Sequence, residues 1–382
     1  MGLMNEYIQR GLSSNDLEKE LLDLICQYNK VRKSYLFVYS SAISKRIPAS
    51  SLGFDDYYII FDLLEKVKSK NLDFYIETPG GSGEAAEEIV RFLRKKFKKV
   101  VFVVSGEAKS AGTIMALSGD DIFMTKSGSL GPIDAQVSIG RSIVSAFDYI
   151  QWVDDKRKEA EKNGKLNPFD ATMVAQISPG ELNGVDNSLN FAKDLVVEWL
   201  PKYKFKRMKI SLSSKKDKAE RIVDGLLNHS KWRSHGRSLK IDDLDKMGLK
   251  IKDVDKNKQL SEIIYRIQTV VRLLFSSTTI YKIFSTCDSK IFAKAANVSA
   301  PINMGPKDIQ FVQFETKCPQ CGITYKIYAK FITDKQVDVD FEKKGLKPFP
   351  KDGKLKCSCG FEIDLTGIKN DIEMQAGKKI IL

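Results

Sequence analysis

Residues 72–136 read LDFYIETPGGSGEAAEEIVRFLRKKFKKVVFVVSGEAKSAGTIMALSGDDIFMTKSGSLGPIDAQ. Three short, largely apolar runs stand out in this stretch: Leu72–Glu77, Val100–Val104 and Asp121–Met124. Each is too short for a helix and is bounded by turn residues, which reads as a strand buried on both faces. Between them Glu84–Lys96 and Ser110–Leu117 read as helices. Upstream, Tyr35–Val38 reads as another buried strand, and Phe54–Lys68 as an amphipathic helix with Asp55 or Asp56 near its start. Strand and helix therefore alternate from 35 to 124, the pattern of an α/β unit with a largely parallel sheet.

Outward from this block the chain is mostly helical. Ser13–Asn29 shows helical spacing behind a cap at Asn15 or Asp16, and further helices are expected at Phe147–Lys162, Phe169–Ile177, Leu189–Leu200, Asp217–Leu227 and Ile241–Met247. Leu260–Phe284 reads as one long amphipathic helix, a spacer or assembly element. The runs FVQFETK, YKIYAKF, VDVDFE and FEIDL in Phe311–Leu382 suggest a small β domain. The expected division is a helical arm at 1–30, a main domain at 31–258, a helical linker at 259–305 and a cysteine-bearing unit at 306–382.

Composition narrows the classes. A net charge of +13 favours anionic partners. The lysines are mostly interleaved with acids, however, and the densest run, Lys202–Lys209 (KYKFKRMK) with Lys215, Lys216 and Lys218, reads first as a solvated surface and second as a nucleic-acid patch. No apolar run is long enough to span a membrane; Ile263–Phe284 is interrupted by Arg266, Arg272 and Lys282. The N-terminal stretch shows no signal core. Six cysteines are too few for a disulfide scaffold, and Cys26 and Cys287 stand alone. A cytoplasmic, reducing location with no membrane partner is expected.

Chemistry concentrates in ETPGGSGE (Glu77–Glu84) and GEAKSAGT (Gly106–Thr113), each where a strand ends and a helix begins. Sites in open α/β sheets gather at such ends. Ser110 is the candidate nucleophile, at a helix start where unpaired N–H groups favour negative charge. Gly80 and Gly81 clear side chains from a turn that a substrate must approach closely. The N–H groups of Gly81 and Ala111 are the candidate oxyanion donors.

These segments, with SLGPIDAQ after them, resemble the Clp-fold serine peptidases: the proteolytic subunit of Clp protease, signal peptide peptidase A and, closest in its SAGT and SLGP segments, the serine dehydrogenase proteinase family. The likeness covers about 35–251 and omits the C-terminal third. It implies a Clp/crotonase-like spiral core, an acyl-enzyme on Ser110, a glycine-turn oxyanion donor at Gly81, and a homo-oligomer of rings or stacks. One departure matters. Where the Clp subunit carries its histidine, this chain reads Ser127–Asp134 without one.

A serine hydroxyl needs a base. The chain has two histidines, His229 and His235. His235 falls near the place of the family's triad acid, and Asp134 near that of the missing histidine. An exchanged triad of Ser110, His235 as base and Asp134 as orienting acid is the first reading, since triads are defined by geometry. His229 is a lesser candidate. A Ser–Lys dyad, with Lys156 or Lys158 as base, is the rival; such a lysine would need a depressed pKa.

Cys318, Cys321, Cys357 and Cys359, in CPQCG and CSCG, form two tight cysteine turns suited to a closed structural Zn²⁺ site in a ribbon. The ribbon reads as a module for docking partner or substrate. The leading functional expectation is a serine endopeptidase acting on peptide or protein substrate. A crotonase-like acyl-CoA enzyme and a non-catalytic nucleic-acid or regulatory module are the alternatives. No Walker-type loop occurs, so an ATPase partner would be a separate chain.

Overall fold

The computed structural model describes residues 2–45, 47–139, 142–295, 310–376 and 378–381. The chain divides into two compact units, Met1–Ala296 and Asn297–Leu382.

The first unit is built on a seven-stranded sheet. Its strands are β1 (Tyr35–Ser41), β2 (Asn71–Glu77), β3 (Lys99–Val104), β4 (Asp121–Met124), β5 (Lys252–Asp253), β6 (Ile280–Ser285) and β7 (Lys290–Lys294). They run in the order β7-β6-β1-β2-β3-β4-β5. Strands β1 to β5 are mutually parallel, and β6 and β7 add antiparallel at the β1 edge.

Alternate residues of a strand point to opposite faces. Phe37, Phe74 and Phe102 share one face, with ring centroids 5.1 and 5.4 Å apart in sequence across the strands. The helices Phe54–Glu65, Gly83–Lys96 and Ala111–Leu117 cover that face through Ile60, Leu64, Ile89, Leu93 and Met115. Leu36, Val38, Tyr75, Val101 and Val103 face the other way, against Ser14–Arg32 and Lys258–Ser277. Strands buried on both faces explain the continuous apolar runs of the sequence.

Two expected boundaries fail. The 1–30 arm and the 259–305 linker are not free-standing: Ser14–Arg32 and Lys258–Ser277 pack on one another and on the sheet, with Leu21, Ile25, Ile264, Ile267 and Leu274 wholly buried. An amphipathic helix draws most of its stability from such burial. The long helix also stops at Ser277, short of Phe284. The hydroxyls of Ser276 and Ser277 turn back on the Leu273 carbonyl, that of Thr278 on Leu274, and the chain enters β6. Residues 296–305 of the expected linker lie outside the described residues.

In the second unit, Phe311–Lys317 and Thr324–Lys330 form one hairpin, and Lys354–Lys356 and Glu362–Asp364 another. VDVDFE, expected as strand, lies in a helix, Lys335–Lys343. Val337 and Phe341, four apart, fall on one helical face beside Tyr328 and Leu346. The helix Thr366–Ala376 had no clear signal in the sequence.

Candidate active site and cysteine cluster

Just beyond β2, Thr78 pairs with the short strand Glu107–Ala108: its N–H donates to Glu107 O at 2.8 Å, and Lys109 N–H donates to Thr78 O at 3.0 Å. This brings the two glycine- and serine-bearing turns together. Gly80 and Gly81 take φ of 101° and 148°. A Cβ on Gly81 would lie 2.3 Å from Leu52 O, and one on Gly80 would lie 2.8 Å from Ser110 Cβ. The turn therefore tolerates no side chain. Leu52 N–H donates to Gly80 O at 2.7 Å and Ser82 N–H to Leu52 O at 2.9 Å. The N–H of Gly81 makes no hydrogen bond among the described residues.

Ser110 sits at the start of Ala111–Leu117 with φ 47° and ψ −116°. This is a strained conformation for a residue with a side chain, the geometry by which a strand-to-helix elbow presents a nucleophile. Its hydroxyl does not cap its own helix. The Ala111 N–H is likewise unbonded among the described residues, while Gly112 N–H is taken by Lys109 O at 2.8 Å. Ser110, Gly80, Gly81 and Ala111 line a cleft of about 640 Å³.

His235 lines the same cleft. Its Nδ1 lies 2.8 Å from Asp134 Oδ1, and the other Asp134 oxygen accepts from Gln136 Nε2 at 2.9 Å. Asp134 is wholly buried. An acceptor on Nδ1 fixes the proton there and leaves Nε2 with the lone pair a base requires. Among the described residues no hydrogen bond joins His235 to Ser110; such bonds are often loose before substrate binds.

The order of the pieces comes from the chain itself. Thr113 Oγ1 accepts from Gly131 N–H at 2.9 Å and donates to Ala108 O at 2.7 Å, which ties the SAGT helix to the SLGP loop that leads to Asp134. Leu130 and Leu239 exchange backbone bonds, which brings the His235 segment alongside. Lys109, beside Ser110, is buried, and its ammonium donates to Ser238 Oγ at 2.9 Å and to Arg237 O at 3.2 Å. Longer contacts at 3.4 Å reach Ser129 Oγ and Leu130 O. Desolvation holds its pKa below the usual lysine value. Lys109 thus braces three segments of the site, a role not anticipated from sequence. Gln136 and the cleft wall of Phe191 and Ala192, on the helix Pro179–Lys202, were also missed. Nothing in the local pattern marks them.

The rival bases fare differently. Lys156 is not at the cleft; it pairs with Asp170 at 2.7 Å and Glu159 at 2.9 Å, which raises its pKa, opposite to what a base needs. Lys158 is exposed and also lies outside the cleft lining. The side chain of His229 lies outside those described.

In the second unit the four cysteines occupy the turns of the two hairpins. All four Sγ atoms lie within 4.8 Å of one another, with Cys318–Cys359 at 3.7 Å and Cys321–Cys357 at 3.4 Å. A tetrahedral ion with metal–sulfur bonds of about 2.3 Å would set sulfurs roughly 3.8 Å apart, so the donor set fits. Gly322 and Gly360 take φ of 77° and 89°, and their N–H groups donate to Cys318 O and Cys357 O, closing both turns. Tyr325 Oη donates to Cys357 Sγ at 3.1 Å. Such an outer partner orients a ligand.

The molecule is thus a mixed α/β protein with a serine-bearing cleft at the carboxyl ends of its parallel strands, joined to a unit with a four-cysteine cluster. The family model of the NfeD1b N-terminal domain matches residues 61–189, less than half of the chain. An uncharacterized protein of Methanocaldococcus jannaschii is 28% identical over 194 residues, 50% of this chain and 55% of that protein. A second uncharacterized protein of that organism is 36% identical over 66 residues, 17% of this chain and 23% of that protein. The chain therefore spans about half the length of the first relative and less of the second. Similar solved structures include two mutants of 1510-N, a membrane-bound stomatin-specific protease, one in complex with a substrate peptide. Their TM-scores are 0.31 and 0.29, with 14% and 15% identity over 55% and 54% of this chain and 80% and 69% of theirs. Among the described residues no helix is long and apolar enough to cross a membrane.

Proposed function

We propose that the chain is a serine endopeptidase that cleaves peptide or protein substrates through an acyl-enzyme on Ser110. The observation that carries this reading is the strained Ser110 in a cleft beside two amides unbonded among the described residues and a histidine held by a buried carboxylate. His235 Nε2 takes the Ser110 proton as Oγ attacks the scissile carbonyl. The resulting oxyanion is held by the N–H groups of Gly81 and Ala111. Asp134 stabilises the imidazolium, which gives its proton to the leaving amine; water then enters by the same base and releases the acid. The membership suggested by SAGT and SLGP, the serine dehydrogenase proteinase family, belongs to this proposal, as do a homo-oligomer, a cytoplasmic location and a separate ATPase or regulatory chain. Cys318, Cys321, Cys357 and Cys359 would hold a structural Zn²⁺, in a ribbon that docks partner or substrate.

A fluorophosphonate probe tests the proposal. Wild type should be labelled, Ser110→Ala should not, and His235→Ala should be labelled far more slowly. Equal labelling of wild type and Ser110→Ala would overturn it. Hydrolysis of acyl-CoA thioesters with no peptide cleavage would favour the crotonase-like alternative.

A further inference from the structure

The lysine run Lys202–Lys209, which reads in sequence as solvated surface, is not all turned outward. Lys204, Phe205, Arg207 and Met208 line a cavity of about 400 Å³ together with Lys218, Lys250, Ile251 and Lys252. Asp120 and Asp121 also line it; Asp121 opens β4, so the cavity lies at the end of the parallel strands opposite to Ser110.

Both carboxylates are already engaged. Asp120 accepts from Arg94 Nη1 at 2.6 Å and from Val100 N–H at 2.9 Å, and Asp121 accepts from Lys252 Nζ at 2.9 Å. The side chains of Lys204, Arg207, Lys218 and Lys250 make no ion pair or hydrogen bond among the described residues. The ammonium of Lys218 lies over the Phe205 ring, 5.6 Å from its centre. Five basic side chains and two already engaged carboxylates thus line a concave, partly apolar space, so positive charge is in excess there.

We propose that this cavity binds the phosphoryl group of a phosphorylated small molecule of about mononucleotide size. A single carboxylate would match only part of the unpaired charge, whereas a phosphoryl dianion offers three acceptor oxygens to converging ammonium groups and to the fork of Arg207. Phe205, Met208 and Ile251 supply the apolar wall that a ring or similar body requires. The charge state of Lys204 agrees. Desolvation lowers its pKa to about 8; the neighbouring Asp121, Asp245 and Asp120 pull the other way without offsetting burial, and the charge of Lys252 lowers it further. An anion beside it would raise that pKa and favour the ammonium form.

Isothermal titration of the full chain with pyrophosphate and with AMP, at about 0.15 M salt so that diffuse attraction is screened, tests the site. At least one ligand should bind saturably. Lys204→Met and Arg207→Ala should each weaken it about tenfold or more, the loss of one charge-assisted bond. Lys209→Ala, an exposed neighbour outside the cavity, should bind like wild type. Binding of AMP alone would assign a share to the apolar wall; binding of pyrophosphate as tight as AMP would assign it all to the phosphoryl group. Affinity should fall as pH rises through about 8 to 10, as Lys204 loses its proton; Asp120, Asp121 from β4, Lys252 from β5 and Asp245 from Ile241–Lys246 act on it, and Arg207, Lys218 and Lys250 line the same cavity. No saturable binding of either ligand, or equal binding by Lys204→Met, would overturn the site. So would equal weakening by Lys209→Ala, the mark of a diffuse basic surface for nucleic acid. Fluorophosphonate labelling of Ser110 in the same variants should be unchanged, so the outcome is separate from that of the peptidase proposal.

Discussion

Ser110 carries two properties that can be measured apart. Its φ of 47° with ψ −116° is a region where a side chain is strained by about 1–3 kcal/mol. Glycine would relieve that strain, although it adds about 0.4–1 kcal/mol of unfolded-chain freedom. The first effect is the larger, so Ser110→Gly should raise the melting temperature while abolishing probe labelling. A fall in melting temperature would show that the elbow is not strained. Lys109 acts one step further out. Its ammonium holds the segment that carries His235, and a misplacement of about 1 Å in a catalytic group costs on the order of a hundredfold. Lys109→Met should therefore lower kcat on peptide substrate by about that factor with little change in KM. A change confined to KM, or a loss matched by global unfolding, would leave Lys109 with a packing role alone.

At the level of elements, much of the scaffold can be read from local pattern, since β2, β3 and β4 are short apolar runs between helices, and the candidate nucleophile and glycine turns fall at their ends. The Asp134–His235 contact could be guessed only through a family likeness, because the two residues come together through the Leu130–Leu239 pairing, a non-local contact without a local sequence mark. The fate of Leu260–Phe284 was illegible for a related reason. Its apolar stripe announces a partner but does not name one, and the partner, Ser14–Arg32, lies at the far end of the unit. Hydroxyl groups at 276–278 end the helix, a signal that periodicity alone overrides. If the helix is part of the core, Ile267→Ala, at a wholly buried position, should destabilise the first unit by about 2–5 kcal/mol. A true linker would register almost no loss, so a chemical-denaturation midpoint close to wild type would contradict this packing.

For the whole molecule, the question is what holds the second unit together. Its main buried cluster is small, built on residues such as Ile327, Phe349, Leu355 and Leu365. Units of this size rarely reach stability on apolar burial alone and commonly rely on a metal or a cross-link. Structural zinc in a set of thiolates contributes on the order of 10–16 kcal/mol near neutral pH, more than such a core supplies. If the four cysteines hold such an ion, its removal should unfold the second unit outright. The first unit has its own two-sided core and its own cleft. Treatment with a strong chelator should then abolish one of two thermal transitions while Ser110 still takes the fluorophosphonate label. Cys357→Ser, which removes one ligand, should reproduce both results without chelator. Retention of both transitions after chelation would show that the second unit is stable without an ion. Loss of labelling would instead show that the cleft depends on the folded second unit, and the chain would have to be treated as one cooperative molecule.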